Sequence, residues 1–234
     1  MAPTQRELAR LLSSTALFSG FEDALIAQLA SAARLKSIKK NEVVFRRGDS
    51  ADSFALVVSG KVKASNATAQ GKEVVLSFVG PGALVGEIAV LDGQSRSSDV
   101  IAVEATEMLV VDRAQLFSSL QGNDSAYLHI IRSLCGKIRE SALIIEANTA
   151  DLLSRACAGL LRLGELHGKR LEYGLMIDMV VPQKDLGAYL NMTRANANRQ
   201  ISYLRDEGLI TFEDGRLILL DEAGLLELSE TSDE

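Results

Sequence analysis

Residues Gly86 to Ser98 read GEIAVLDGQSRSS: a Gly-Glu pair and, nine residues after the glutamate, one arginine flanked by small hydroxyl side chains. An ordinary surface loop can have this composition. So can a cradle for a molecule with a phosphate at one end and hydroxyls at the other. Arg96 can fork two N–H donors onto phosphate oxygens, and Ser97 and Ser98 can add hydroxyl and backbone donors beside it. Glu87 can accept a ribose 2′-hydroxyl proton. A short helical turn begun at Gly86 would aim unpaired backbone N–H groups at the anion. Inside a barrel, an arginine left without a partner is poorly tolerated.

Working outward, the stretch lies among short β-prone runs. From Ile38 to about Asp112 they are VVF, FALVV, KVKA, VVLSFV, ALVG, DVIAVEA and EMLVVD, with turns at Gly48, Gly60, Gly71, Gly80-Pro81-Gly82 and Gly93. This spacing predicts a sandwich or barrel. Gln5–Leu12 and Glu22–Ala33 before it have helical spacing, and Asp112–Leu120 after it reads as a short helix. Asp124–Thr149 then reads as one long helix. Its seam of Tyr127, Ile131, Leu134, Ile138, Ser141, Ile145 and Asn148 alternates steps of four and three, which is a heptad pattern. Such a helix either packs on its own barrel or pairs with a second copy. The apolar flanks Ile130, Leu143 and Ile144 favour the pair. A further helix, Ala150–Leu166, is followed by a loop with Gly168 and Gly174. The expected fold class is α+β, in three parts: a β-barrel domain over 1–123, a dimerisation helix over 124–149 and a small helical domain with a β-hairpin over 150–234.

Composition narrows the function. The chain has 234 residues, 47% hydrophobic and 24% charged, and suits a soluble globular protein. No apolar run reaches the roughly 20 residues of a membrane span, and the amphipathic start MAPTQRELARLLSS carries Glu7, so a cytoplasmic location without a membrane partner is expected. Two cysteines, Cys135 and Cys157, and two distant histidines make neither a metal site nor a catalytic set; both thiols are expected to be buried and reduced. An enzyme is therefore the weakest reading. The net charge of −6 excludes bulk attraction to nucleic acid and leaves room for a local basic patch. Six acids and no base lie between Asp221 and Glu234, which reads as a solvated, frayed end.

The local basic patch is in Gln183–Arg205. Lys184–Leu190 suits a first helix, with Gly187 where a second helix must cross closely, and Asn191-Met192-Thr193 suits the turn. Asn191 is the next-best residue after glycine for a left-handed turn position, and Thr193 is a good N-cap. Ala197, Ile201 and Leu204 then face inward, while Arg194, Asn196, Asn198, Arg199 and Arg205 point elsewhere with no acid before Asp206. Arginine for guanine and asparagine for adenine is the chemistry of a major-groove helix. TFEDGRLILL adds a hairpin around Asp214-Gly215. The same features also suit a winged helix that binds protein.

Together, VGEIAVLDGQSRSSDVIAVEAT resembles the phosphate-binding cassette of cyclic-nucleotide-binding domains, and RRGDSADSFALVVSGKVKAS resembles the strands that precede it. With the long helix and the helix-turn-helix, nearly the whole chain resembles the CRP/FNR family of bacterial transcription regulators, closest in pattern to the catabolite activator (cAMP receptor) type. The resemblance implies a jelly-roll barrel, a dimerisation helix and a winged helix-turn-helix. It implies ligand-binding positions at Gly86, Glu87, Ile88, Ala89, Arg96 and Ser97, with Ser141 on the long helix. DNA-binding positions are Lys184, Thr193, Arg194, Asn196, Asn198 and Arg199. Ala195 stands where the family's Arg-Glu-x-x-x-Arg has its glutamate, so the half-site should differ at that base pair. The implied effector is cAMP, ahead of cGMP, with no cofactor; the implied partners are a second copy, inverted-repeat double-stranded DNA and RNA polymerase. The alternatives are the same regulator with no nucleotide or another anionic effector, and a regulatory or scaffold protein whose winged helix binds protein.

Overall fold

The structure, a computed structural model, describes residues 4–230. Residues 1–3 and 231–234, parts of the amphipathic start and the acidic tail, lie outside the described residues. Two helices come first, α1 (Gln5–Ser13) and α2 (Asp23–Ala32). Strands β1 (Arg34–Ile38), β2 (Val43–Phe45), β3 (Ser53–Ser59), β4 (Val62–Ala67), β5 (Glu73–Val79), β6 (Leu84–Val85), β7 (Asp99–Ala102) and β8 (Thr106–Asp112) follow, with the short α3 (Glu87–Asp92) between β6 and β7. They form two antiparallel four-stranded sheets, in orders β1-β8-β3-β6 and β2-β7-β4-β5.

Strand β3 shows why its run is apolar throughout. Successive side chains point to opposite faces. Phe54 and Leu56 join Leu12, Phe18, Leu29, Leu116 and Leu120 in a buried cluster beneath the helices. Ala55 and Val57 face the other way, toward Val62, Val85, Val100, Ala102 and Met108. The strand is covered on both sides, so neither set of positions can be polar.

Helix α4 (Arg113–Leu120) begins at Asp112, whose backbone N–H donates to Gln115 Oε1 at 3.3 Å. Helix α5 (Asp124–Ala147) follows. Its start is tied down by Ala126 and Ile130, both in the helical cluster, and by His129, whose Nε2 lies 3.1 Å from Ser19 Oγ and 3.2 Å from the Ala16 carbonyl. Tyr127, Ile131, Ile138, Leu143 and Ile145 are exposed, Ile138 to 69%. Cys135, expected to be buried, is also exposed, because it lies on the outward side of α5 rather than on the Ala126–Ile130 face; Cys157 is buried. The chain divides into two compact units, Met1–Arg139 and Glu140–Glu234, which part within α5.

The second unit holds α6 (Leu152–His167), β9 (Gly168–Leu171), β10 (Gly174–Ile177), α7 (Gln183–Tyr189), α8 (Arg194–Asp206), β11 (Ile210–Glu213), β12 (Arg216–Leu219) and α9 (Glu222–Glu230). Its strands form one antiparallel sheet of order β11-β12-β10-β9. Asp214 and Gly215 have φ of 50° and 76°, the left-handed pair a two-residue hairpin turn requires. Two expectations are corrected. The loop around Gly168 and Gly174 is a hairpin, completed by pairing with β12. The acidic tail, as far as Glu230, is a helix: Leu225 is fully buried, and Ser154 Oγ donates to the Leu228 carbonyl at 3.0 Å. No described helix is long and apolar enough to cross a membrane.

Candidate functional site

The cassette is built around Gly86. Its φ of 78° is left-handed, and a Cβ there would meet Arg96 Nη1 at 2.5 Å and Phe45 Cε2 at 2.8 Å, so only glycine fits on both counts. This residue turns the chain from β6 into α3 and presents its carbonyl to Arg96, whose Nη1 donates to it at 2.9 Å. Arg96 Nη2 donates to the Ser53 carbonyl at 2.6 Å, and the guanidinium lies 3.7 Å over the Phe45 ring. The loop carrying Arg96 docks on residues 46–53: Arg96 N–H donates to the Asp49 carbonyl, and Gly48 N–H donates to the Arg96 carbonyl, both at 2.9 Å.

Arg96 is 5% exposed. Burial pulls its pKa below the usual arginine value, and the nearby charges of Asp52, Asp49 and Glu87 oppose that pull. The buried arginine is not left without partners: two carbonyls and an aromatic face hold it. They use two of its five N–H donors.

Glu87 opens α3, and its side chain is 6% exposed. Its Oε1 accepts from Nζ of Lys137, which reaches in from α5. The structure thus brings Gly86, Glu87 and Arg96 together. Ile88 is exposed and Ala89 buried; Ser97 is exposed beside Arg96, and Ser98 is half-buried. Ser141 is an exposed residue of α5, one turn beyond Lys137 and in the second unit. Sequence reasoning missed Phe45, the Ser53 carbonyl and Lys137. Only Lys137 had a signal: it lies four residues before Ser141, hence on the same side of the helix.

In the second unit, α7 and α8 enclose a turn in which Asn191 has φ 51°, the left-handed value expected of it. Thr193 caps α8, its Oγ1 accepting from Asn196 N–H at 3.2 Å. Ala197 and Leu204 are buried and Ile201 half-buried, so one stripe of α8 packs inward. Arg194, Asn198 and Arg199 are exposed, as is Lys184 near the start of α7; Asn196 is half-buried. Arg194 Nη2 donates to Gln183 Oε1 at 3.3 Å. Gly187 is less constrained than expected, since a Cβ there would come no closer than 3.4 Å to Arg194 Cα.

Comparison with known proteins agrees with both halves. The cyclic nucleotide-binding domain family matches residues 35–123, and the Crp-like helix-turn-helix domain family matches residues 154–228. A CRP-like cAMP-activated global transcriptional regulator of Mycobacterium tuberculosis is 23% identical over 90% of this chain and 95% of its own. The cyclic AMP receptor protein of Thermus thermophilus is 26% identical over 92% of this chain and 97% of its own. Among solved structures, FixK2 from Bradyrhizobium japonicum superposes with a TM-score of 0.76 at 20% identity, covering 86% of this chain and 98% of that one, a likeness of fold.

Proposed function

Because the chain belongs to the CRP/FNR family of transcription regulators, with a cyclic nucleotide-binding domain and a Crp-like helix-turn-helix, we propose that it is a homodimeric, sequence-specific DNA-binding regulator controlled by a cyclic nucleotide, cAMP in preference to cGMP. The observation that carries this reading is the Arg96 guanidinium, oriented by the Gly86 and Ser53 carbonyls, in the same cassette as the buried Glu87 carboxylate. A cyclic phosphate takes the remaining N–H donors of Arg96 through charge-assisted bonds, with Ser97 beside it, and the ribose 2′-hydroxyl donates to Glu87.

The exposed stripe of Tyr127, Ile131, Ile138 and Ile145 pairs with its copy in a second chain. Ligand binding favours one of two arrangements of the paired helices, the one that places both copies of α8 for an inverted repeat. That is a two-state element shifted by differential affinity. On α8, Arg194, Asn196, Asn198 and Arg199 read bases or flank the readers, Thr193 sets the start of the helix, and Lys184 contacts phosphate. The DNA-bound dimer then recruits RNA polymerase in the cytoplasm. The second reading, the same regulator answering to another anionic effector or to none, is favoured by one observation: Glu87 already holds Lys137.

Calorimetric titration of the full chain with cAMP and with cGMP separates the two. The nucleotide reading requires saturable binding that Arg96→Ala abolishes and Glu87→Gln weakens less. Absence of binding leaves the second reading, and unchanged affinity in Arg96→Ala removes the cassette from the mechanism.

A further inference from the structure

The outward side of α8 is fixed by what the helix buries. Ala197 and Leu204 are buried and Ile201 half-buried. Ala195 precedes Ala197 by two residues and Leu204 by nine, about half a turn and about two and a half turns, so it lies opposite both. Arg199 and Ser202 follow Ala195 by four and seven residues, close to one and two turns, and share its side. All three are exposed. The middle line of the exposed face therefore runs Ala195, Arg199, Ser202, with alanine at the N-terminal end. Arg194 stands to one side, where its Nη2 meets Gln183 Oε1 at 3.3 Å.

Alanine there brings one methyl group and nothing that donates or accepts. A side chain this short lets the first turn of α8 come close to the base edges of a major groove. The thymine 5-methyl is the apolar group that those edges present. Over an amino or carbonyl edge, the alanine methyl would cover a polar atom without bonding it. We propose that Ala195 is a specificity-determining residue: its Cβ packs on a thymine methyl in each half-site. The rise of α8 between Ala195 and Arg199 is about 6 Å, so that thymine lies within about two base pairs of the guanine that Arg199 takes. This inference rests on the DNA-binding reading given above and deepens it, since it names a base that no hydrogen bond from Ala195 can select.

The test uses duplexes in which single thymines are replaced by uracil, which keeps the pairing and lacks only the methyl group. The parent duplex is one selected from random DNA by the full chain in the presence of cAMP, and affinities are measured by fluorescence anisotropy at one salt concentration. The wild type should respond to one thymine per half-site, within about two base pairs of the position that Arg199→Ala flattens. Replacing it should weaken binding about fourfold in one half-site and about 15-fold in both, the worth of one buried methyl group each. Ala195→Gly should bind the thymine and uracil duplexes within about twofold of each other, and that ratio cancels any helix stability lost to glycine. Ala195→Glu should move the selected base toward cytosine, whose amino group donates to a carboxylate.

A selected half-site without thymine near that position, or a wild type indifferent to uracil at every thymine, would overturn the inference. A uracil penalty that persists in Ala195→Gly would overturn it too, since another group would then read the methyl. A wild type that selects no sequence refutes the DNA-binding reading itself, and the inference falls with it.

Discussion

Replacing Gly86 by alanine tests the cassette geometry through one methyl group. Two effects are expected, and a second glycine separates them. Gly82 also has a left-handed backbone, φ 84°, but a Cβ there would meet nothing within 4 Å. Gly82→Ala should therefore show backbone strain alone, about 1–2 kcal/mol. At Gly86 the φ is 78°, and the new methyl would lie 2.5 Å from Arg96 Nη1 and 2.8 Å from Phe45 Cε2. Arg96 must then leave the Gly86 carbonyl, and a hydrogen bond from a charged donor is worth about 1.5–3 kcal/mol. Gly86→Ala should thus destabilise by about 2.5–5 kcal/mol, exceeding Gly82→Ala by the worth of that bond. Urea denaturation of the full chain, followed by circular dichroism with m-values compared between variants, measures both. The reasoning is refuted if the two alanine variants agree within about 0.5 kcal/mol, the scatter of unremarkable surface changes.

Three further outcomes are expected. Ile138→Asp puts a charge on the exposed apolar stripe of α5 and should shift a dimer toward monomer in light scattering at micromolar concentration; a wild type that is already monomeric would show that the stripe has another use. One thiol per native chain should react quickly with an alkylating reagent, Cys135, because burial pushes Cys157 up to about 11; rapid labelling of Cys157 would contradict its placement. Arg199→Ala should flatten base preference at one position of each half-site, at about 1–3 kcal/mol for a bidentate guanine contact. Lys184→Ala should weaken all sequences alike and lower the salt slope by about one unit.

The features that could be read from sequence are those fixed by residues close together along the chain. Gly86, Glu87 and Arg96 lie within eleven positions, and their grouping follows from one tight turn and one short helix. Asn191, Thr193 and the Asp214-Gly215 turn are likewise local backbone requirements, and each has the conformation its residue type suggests. What escaped depends on distant approach. The partners of Arg96 are a carbonyl from β3 and a ring from β2, and a backbone carbonyl has no sequence signature at all. Strand β9 reads GKRL, too polar to look like a strand, and exists because β10 is there to pair with it. Leu225 gave little warning among the acids of α9, yet its burial decides that the segment folds back. The position of Cys135 on its helix overrides the general bias of free cysteine toward burial.

The central claim is that a cyclic nucleotide controls DNA binding, and the most direct measurement is the affinity of the full chain for a duplex selected from random DNA, with and without saturating cAMP at one fixed salt concentration. The account predicts an inverted repeat with half-sites roughly 10 bp apart centre to centre, bound about tenfold or more tighter when cAMP is present, within the usual range of coupling between sites. Equal affinity with and without the nucleotide, or a selected sequence lacking twofold symmetry, would contradict it.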